Sequence, residues 1–520
     1  MKIIKTKTFI IGVVFTVALG ALASLYYDFV LDDAYIIYRY ADNLVHGHGL
    51  VWNVGEEPAE GFTSLLWVLI NAAGLVLGLD PVVFSKVISV IAALVIIWDM
   101  VIAAERLRWD LKFILVGAIC LSPPFAFLMM QGLETTVTAL LIYVIARTNL
   151  AVLSNPSVKS SFAFFGSAFL GALARPDTVV FAFGVFMGTA VLIVLRRDYK
   201  FLARFLSVAG VFVILGIVYV LWRVSYFGHF FPNTFYVKVG VGGKLVAESG
   251  IGYVKSFFIS YFMPYCILVV FFIGRYYNKE ILIKVSPVIL GVSFFVLYLV
   301  TVTPYQGHYW RYIFPVFIAF LYSAVYYFSV VSSQKIQKKS VWVSAGLVLF
   351  FALWTLRFAP SSFYEKERRA EYDRVAVGRA LAGIPATMLT TESGALPYYS
   401  GWRSFDVLGL NSEEIARNGL SRAYLEKTSP DLVALLGYYG DKNREMDFRI
   451  IEEYMAKKEF VAVAVIYKSF NAYHSYFVNP DSKYFGVITE RLLGVDRVTY
   501  ADMEKRMFKD TINAYDGCNK

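Results

Sequence analysis

Only three of the 520 residues are cysteine, and their positions leave no disulfide framework: Cys120 and Cys266 fall in long apolar runs and Cys518 stands alone near the end. Charge is also scarce, at 17% of residues, against 58% hydrophobic residues and a mean hydropathy of +0.58. A soluble domain is about half apolar, so a wholly soluble globular chain is excluded. Internal repeats and low-complexity segments are missing as well. So is a convincing small-x-small cleavage site after the first apolar run: Ala21-Leu22-Ala23 is weak, and the YYDFVLDDAY that follows is not a typical mature start. The opening MKIIKTK and its apolar run are therefore read as a retained signal-anchor.

What is present divides the chain in two. Apolar stretches long enough to cross ~30 Å of hydrocarbon recur as far as residue 359 and almost vanish afterwards. Residues 1–359 hold 27 Lys and Arg against 16 Asp and Glu, while residues 360–520 hold 22 against 23. The basicity thus belongs to the membrane part. Lys and Arg gathered in short loops between spans are what the positive-inside rule requires, so the basic charge points to membrane topology and away from nucleic acid.

Placing the basic clusters on the cytoplasmic side gives an alternating topology: Lys2/Lys5/Lys7, Arg106/Arg108/Lys112, Arg147/Lys159, Arg196/Arg197/Lys200/Arg204, Arg275/Lys279/Lys284 and Lys335/Lys338/Lys339. The spans between them run approximately 8–27, 82–104, 111–130, 133–147, 161–175, 178–195, 205–225, 256–274, 285–303, 311–330 and 341–359, about eleven helices. Parity requires the apolar segment 62–79 to be a juxtamembrane or re-entrant helix, which Asn71, Gly74 and Gly78 make tolerable. Asp80-Pro81 then starts a fresh helix, with Asp as N-cap and Pro at the first helical position.

Residues 360–520 read as a small soluble α/β domain on the outer face: a charge-rich helix at 362–383, β-like runs at 386–391, 404–408, 431–436 and 460–467, and helices at 412–418 and 447–458, the first opened by a Ser412 cap. The fold class is an α-helical polytopic membrane protein with a C-terminal extracytoplasmic α/β domain.

Polar residues in costly places mark a candidate site. The first outer loop, residues 28–80, begins with Asp32-Asp33 at the head of a short helix that carries Arg39. Adjacent carboxylates there are either helix N-caps or a base or metal-binding pair at the mouth of a membrane cavity. Glu134 lies where a helix re-enters the bilayer, and Arg175-Pro176-Asp177 breaks two strongly apolar spans. His229, Asn233 and Lys238 share one outer loop, and His308 and Arg311 open the tenth span. An enzyme on the outer face has no cytoplasmic nucleotide sugars, so its activated donor arrives as a sugar on a polyprenyl phosphate. Asp32 or Asp33 is then the base for an acceptor hydroxyl. Arg175, Lys238, His308 and Arg311 meet the charge on the departing phosphate, with Arg39, Glu134, Asp177, His229 and Asn233 in support. Aromatic side chains, 17% of the chain, line the sugar and prenyl tracks or form interfacial belts.

The motifs Asp32-Asp33-Ala34-Tyr35, Gly47-His48-Gly49-Leu50-Val51-Trp52-Asn53, Glu60-Gly61-Phe62-Thr63-Ser64, Gly132-Leu133-Glu134-Thr135, Ala174-Arg175-Pro176-Asp177 and Pro232-Asn233-Thr234-Phe235-Tyr236-Val237-Lys238 occur in order. They continue in the tail with Glu392-Ser393-Gly394-Ala395-Leu396-Pro397 and Asp406-Val407-Leu408-Gly409-Leu410-Asn411. This series resembles the mycobacterial terminal arabinofuranosyltransferases and their bacterial relatives in the GT-C superfamily. The resemblance implies a GT-C fold and a decaprenyl-phosphoryl-arabinofuranose-like donor. It also implies an essential aspartate at Asp32 or Asp33, and a carbohydrate-directed C-terminal domain that includes Glu392. Where relatives often carry Gly-Asp before the arginine of the tenth span, this chain has Gly307-His308, so the role passes to His308. The expected acceptor is an envelope glycan or a surface glycoprotein, and the expected location is the bacterial inner membrane with the active site on the periplasmic side. Asp32 and Asp33 could hold a divalent cation, which a monophosphate leaving group does not require. The alternatives are a lipid-linked sugar flippase, which calls for charges deep in several spans, and a non-catalytic assembly scaffold.

Overall fold

The computed structural model describes residues 6–239, 250–302, 308–335, 341–358, 373–438, 449–469, 472–495 and 499–500. Through Leu356 the regular elements described are all helical. They are α1 (Thr6–Ser24), α2 (Asp32–Val45), α3 (Leu65–Val76), α4 (Pro81–Ala103), α5 (Trp109–Cys120), α6 (Pro123–Met130), α7 (Thr135–Ser154), α8 (Val158–Ala174), α9 (Thr178–Leu195), α10 (Tyr199–Phe227), α11 (Asn233–Val239), α12 (Gly250–Phe257), α13 (Met263–Arg275), α14 (Lys279–Thr301), α15 (Phe314–Lys335) and α16 (Val341–Leu356). Nine stretches among the described residues are long and apolar enough to cross a membrane, so the chain is a multi-pass membrane protein. α8 and α16 are shorter apolar helices. α3, with 12 residues, reaches about 18 Å, short of a crossing, as the reading of segment 62–79 requires.

Local chemistry sets the breaks. Asp80 Oδ1 accepts from the Val83 N–H at 2.9 Å and Pro81 opens α4. The apolar run 111–130 is divided, because Ser122 caps Phe125 at 3.2 Å and Pro123-Pro124 start a new helix. A π-helical turn, Phe258–Phe262, precedes Pro264 in α13, whose ring nitrogen has no hydrogen to donate. α9 and α14 approach closely through small residues: a Cβ on Gly184 would lie 2.7 Å from the Gly291 Cα.

The C-terminal part contains α17 (residues 373–381), β1 (Thr387–Thr390), α18 (Ala395–Ser400), β2 (Arg403–Asp406), α19 (Glu413–Asn418), α20 (Arg422–Thr428), β3 (Leu432–Tyr438), α21 (Arg449–Lys457), β4 (Val461–Ser469), β5 (Ala472–Val478), α22 (Phe485–Leu493) and β6 (Thr499–Tyr500). The sheet order is β2-β1-β3-β5-β4-β6, parallel for β2-β1-β3 and antiparallel beyond. Alternation along β1 sends Met388 to a core with Val377, Trp402 and Ile488, and Leu389 to a second core with Phe405, Ile451 and Phe477. The four expected strands are present. The sequence pattern predicts neither β5 and β6 nor α18, α20 and α22, residues 362–372 of the expected first helix lie outside the described residues, and the Ser412 hydroxyl makes no capping bond.

α18 joins this part to the membrane helices. Ala395 is wholly buried within the membrane part's core, and Tyr398 and Tyr399 pack at 5.7 and 5.4 Å from Tyr35 of α2.

Candidate active site

The site begins at the head of α2. Leu31, not an aspartate, is the N-cap residue, and Asp32 and Asp33 occupy the first turn with no capping bond. The plain N-cap reading of the pair therefore does not hold. Asp32 reaches across to the C-terminal domain. Its Oδ2 accepts from the Gly394 N–H at 3.0 Å and its Oδ1 from the Ala395 N–H at 2.8 Å, with Arg374 Nη1 at 3.3 Å from Oδ1. Arg374 also donates Nη2 to Glu392 Oε2 at 2.6 Å. Residue 394 has to be glycine for this, since a Cβ there would lie 2.4 Å from Asp32 Oδ1.

Asp33 acts on a different neighbourhood, formed by two buried arginines: Arg175 at the end of α8 and Arg311 just before α15, the latter feeling the Asp33 charge. Arg175 donates Nε to Asp177 Oδ1 at 3.1 Å, lies 3.9 Å from Glu134 and stacks 4.6 Å from the centre of the Tyr312 ring. Arg311 stacks on the same ring at 4.9 Å and donates Nη2 to the Tyr312 hydroxyl at 2.9 Å. The Tyr312 N–H in turn donates to the Tyr253 hydroxyl at 3.1 Å. Burial works against both guanidinium charges, but their neighbours outweigh it: Asp177 and Glu134 hold Arg175 well above its ordinary pKa, and Tyr312, Asp33 and Glu134 raise Arg311. The Arg311 Nε is buried and makes no hydrogen bond among the described residues, an open donor in a site that desolvates it.

The backbone leading into Arg311 is strained. Tyr309 (φ 48°) and Trp310 (φ 59°) occupy the left-handed region in succession, a cost of order 1–3 kcal/mol each that surrounding packing has to sustain. That packing is present: Tyr309 lies 4.7 Å from Phe127, and the Trp310 indole donates to Ser256 Oγ at 3.2 Å. Tyr309, Trp310 and Tyr312 carry no signal in the sequence beyond their proximity to Arg311, and Tyr253, far from it in the chain, carries none.

The remaining expected site residues divide between the two neighbourhoods. Glu134, Asp177, Arg175, Arg311 and Asp33 come together. Arg39, His229, Asn233, Asp32 and Glu392 lie instead where the membrane part meets the C-terminal domain. Arg39 donates to the carbonyls of Trp52 (2.8 Å), Pro397 (2.9 Å) and Trp402 (2.8 Å) and to Asn53 Oδ1 (3.0 Å), and burial pushes its guanidinium down to about 10. Asn233 Nδ2 donates to the carbonyls of Gly409 and Leu410 at 2.6 and 3.0 Å, and His229 Nε2 contacts the Glu413 carboxylate. Lys238 lies on α11 and His308 opens a short 3-10 turn; their side chains are outside the described residues. For a divalent cation the pair does not fit, because both Asp32 oxygens are already engaged by N–H groups and a guanidinium.

A family model described as a domain of unknown function, DUF8728, matches residues 362–488. No curated protein matches the chain by sequence. Among solved structures, ArnT from Cupriavidus metallidurans bound to undecaprenyl phosphate is similar with a TM-score of 0.59 at 12% identity, over 90% of this chain and 98% of that one. AglB from Archaeoglobus fulgidus, an archaeal oligosaccharyltransferase in complex with an inhibitory peptide and a dolichol-phosphate, gives 0.52 at 11%, over 92% and 74%. The arabinosyltransferase EmbB from Mycobacterium smegmatis gives 0.37 at 14%, over 85% and 45%, too low a score to carry an argument. At these identities the likeness establishes the fold alone: the chain has the GT-C fold, the one its sequence motifs resemble.

Proposed function

We propose that this GT-C-fold membrane protein is a glycosyltransferase that moves a sugar from a polyprenyl-phosphate donor to a glycan or glycoprotein acceptor on the extracytoplasmic face of a bacterial inner membrane. The observation that carries the reading is the stacking of two buried arginines on one tyrosine, one of them, Arg311, with a buried Nε that makes no hydrogen bond among the described residues and with Asp33 among the charges acting on it. Buried guanidinium groups are suited to a lipid phosphate, which they grip through charge-assisted hydrogen bonds. That the similar ArnT and AglB structures hold undecaprenyl phosphate and dolichol-phosphate supports the same ligand class here.

In this reading Asp33 accepts the proton of the acceptor hydroxyl as its oxygen bonds to the anomeric carbon of the donor sugar. The bond from that carbon to the phosphate oxygen breaks, and the phosphate keeps the electron pair. Its added charge is met by Arg311 and Arg175, with Lys238 and His308 as further cations. A general base in this role contributes ~10²–10⁴-fold. Asp32 has its oxygens committed to the C-terminal domain and is not the base. The ordered motif series favours arabinofuranose as the transferred sugar.

The test compares cell-surface glycans and glycoproteins by mass spectrometry in wild-type, deletion and Asp33→Asn cells at matched protein levels. Loss of one pentose or hexose from the same product in both the deletion and the variant is expected. A pentose identifies the arabinofuranosyl reading. Retention of the sugar in Asp33→Asn would remove Asp33 as base and bring the transporter and scaffold readings forward.

A further inference from the structure

The C-terminal domain holds the membrane part in an unusual place. In open sheets with parallel strands, ligands bind outside the carboxyl ends of the strands. Here the loops at those ends, 391–394 after β1 and 407–411 after β2, meet the membrane part: Gly394 and the adjoining Ala395 bind Asp32, and Gly409 and Leu410 bind Asn233. Where a small ligand would bind, these loops hold Asp32 of the first outer loop and Asn233 of α11, and the Asp32 carboxylate accepts backbone N–H groups as an anion would.

The grip on that carboxylate comes from Arg374, in α17. Its side chain is 5% exposed and lies between the side chains of Asp32 and Glu392, themselves 15% and 17% exposed. Asp33 follows Asp32 in the first turn of the same helix, so whatever fixes Asp32 also constrains where the Asp33 charge stands relative to Arg311. Resting on the glycosyl-transfer reading, we propose that Arg374 is a positioning residue for that reaction: through Asp32 it sets where Asp33 stands against the arginine cluster. In a reaction of this kind a displacement of about 1 Å costs on the order of 100-fold. The rest of the interface does not depend on Arg374. Arg39 makes four hydrogen bonds across or beside it, and Trp52 Nε1 and Asn53 Nδ2 both donate to the Ser404 carbonyl at 3.1 Å. Removing the Arg374 charge therefore loosens the Asp32 grip while the domain stays docked.

The experiment uses the full chain, with Arg374→Gln and Arg374→Lys beside wild type and a deletion. The product is followed by surface-glycan mass spectrometry at matched membrane levels. On purified protein, undecaprenyl phosphate binding, melting temperature and hydrogen exchange are measured. Arg374→Gln is expected to slow transfer at least about tenfold while binding undecaprenyl phosphate within about twofold of wild type. Exchange should rise at residues 31–36 and 392–396 and stay protected at Trp52 and Asn53, and Arg374→Lys should recover part of the rate. Wild-type transfer by Arg374→Gln overturns the proposal. So does a loss of transfer that merely tracks lost undecaprenyl phosphate binding and a fallen melting temperature. A deletion that leaves every surface glycan unchanged sinks the transfer reading itself and the positioning role with it, whereas unchanged glycans in Arg374→Gln alone sink only the latter.

Discussion

Asp32 and Asp33 are chemically identical neighbours, yet one binds the C-terminal domain and the other bears on Arg311. Consecutive residues on a helix point about 100° apart, enough to send two carboxylates to different partners. Arg311 is the residue whose chemistry is most exposed to test, since its Nε is buried without a hydrogen bond among the described residues. A charge-assisted hydrogen bond to a phosphate is worth about 1.5–3 kcal/mol. Arg311→Ala should therefore weaken undecaprenyl phosphate binding roughly tenfold or more, as measured by thermophoresis of the purified chain. Arg311→Lys should recover only part of this, because lysine supplies a point charge without the planar fork. Unchanged affinity in both variants would place the lipid phosphate elsewhere. The candidate residues were legible in the sequence because a charge next to a long apolar run is conspicuous. Their grouping was not: Arg39, His229 and Asn233 are as conspicuous as Arg175, but they hold two parts of the chain together.

Among the elements, those with strong local signals were readable in advance. The Asp80-Pro81 start of α4 is one, because capping involves only residues three apart. β5 was missed because His474 and Ser475, polar and buried, interrupt the apolar pattern of AYHSYFV. α18 and α20, with six and seven residues, are too short to show helical periodicity. The contact between α9 and α14 was also invisible, since a glycine inside an apolar span says nothing about which helix approaches it. Gly184→Val should force these helices apart, at a cost of about 1–3 kcal/mol read as a lower melting temperature in detergent. Gly216→Ala is the control: it lies on α10 with nothing within 4 Å of its would-be Cβ, and should leave the melting temperature unchanged or raise it slightly. Equal effects of the two would mean that α9 and α14 do not pack through Gly184.

For the whole molecule, the distribution of Lys and Arg carries a topological expectation that labelling can check. In a cysteine-free background, Arg422→Cys on the C-terminal domain should react with a membrane-impermeant maleimide on intact spheroplasts. Lys200→Cys, in the basic cluster at the start of α10, should react only after lysis. The reverse pattern would invert the topology and with it the outer-face chemistry. By itself the sequence determined that this is a multi-pass membrane chain with an α/β C-terminal part, and which polar residues stand beside long apolar runs. Hydropathy, net charge and capping are sums over near neighbours, so a linear reading reaches them. Only the tertiary structure decided that Asp32 binds the C-terminal domain, that the Asp33 charge acts on Arg311, and that Arg374 stands between Asp32 and Glu392. Those assignments depend on bonds such as Gly394 N–H to Asp32, between residues 362 positions apart, and no local pattern records which distant backbone a carboxylate will meet.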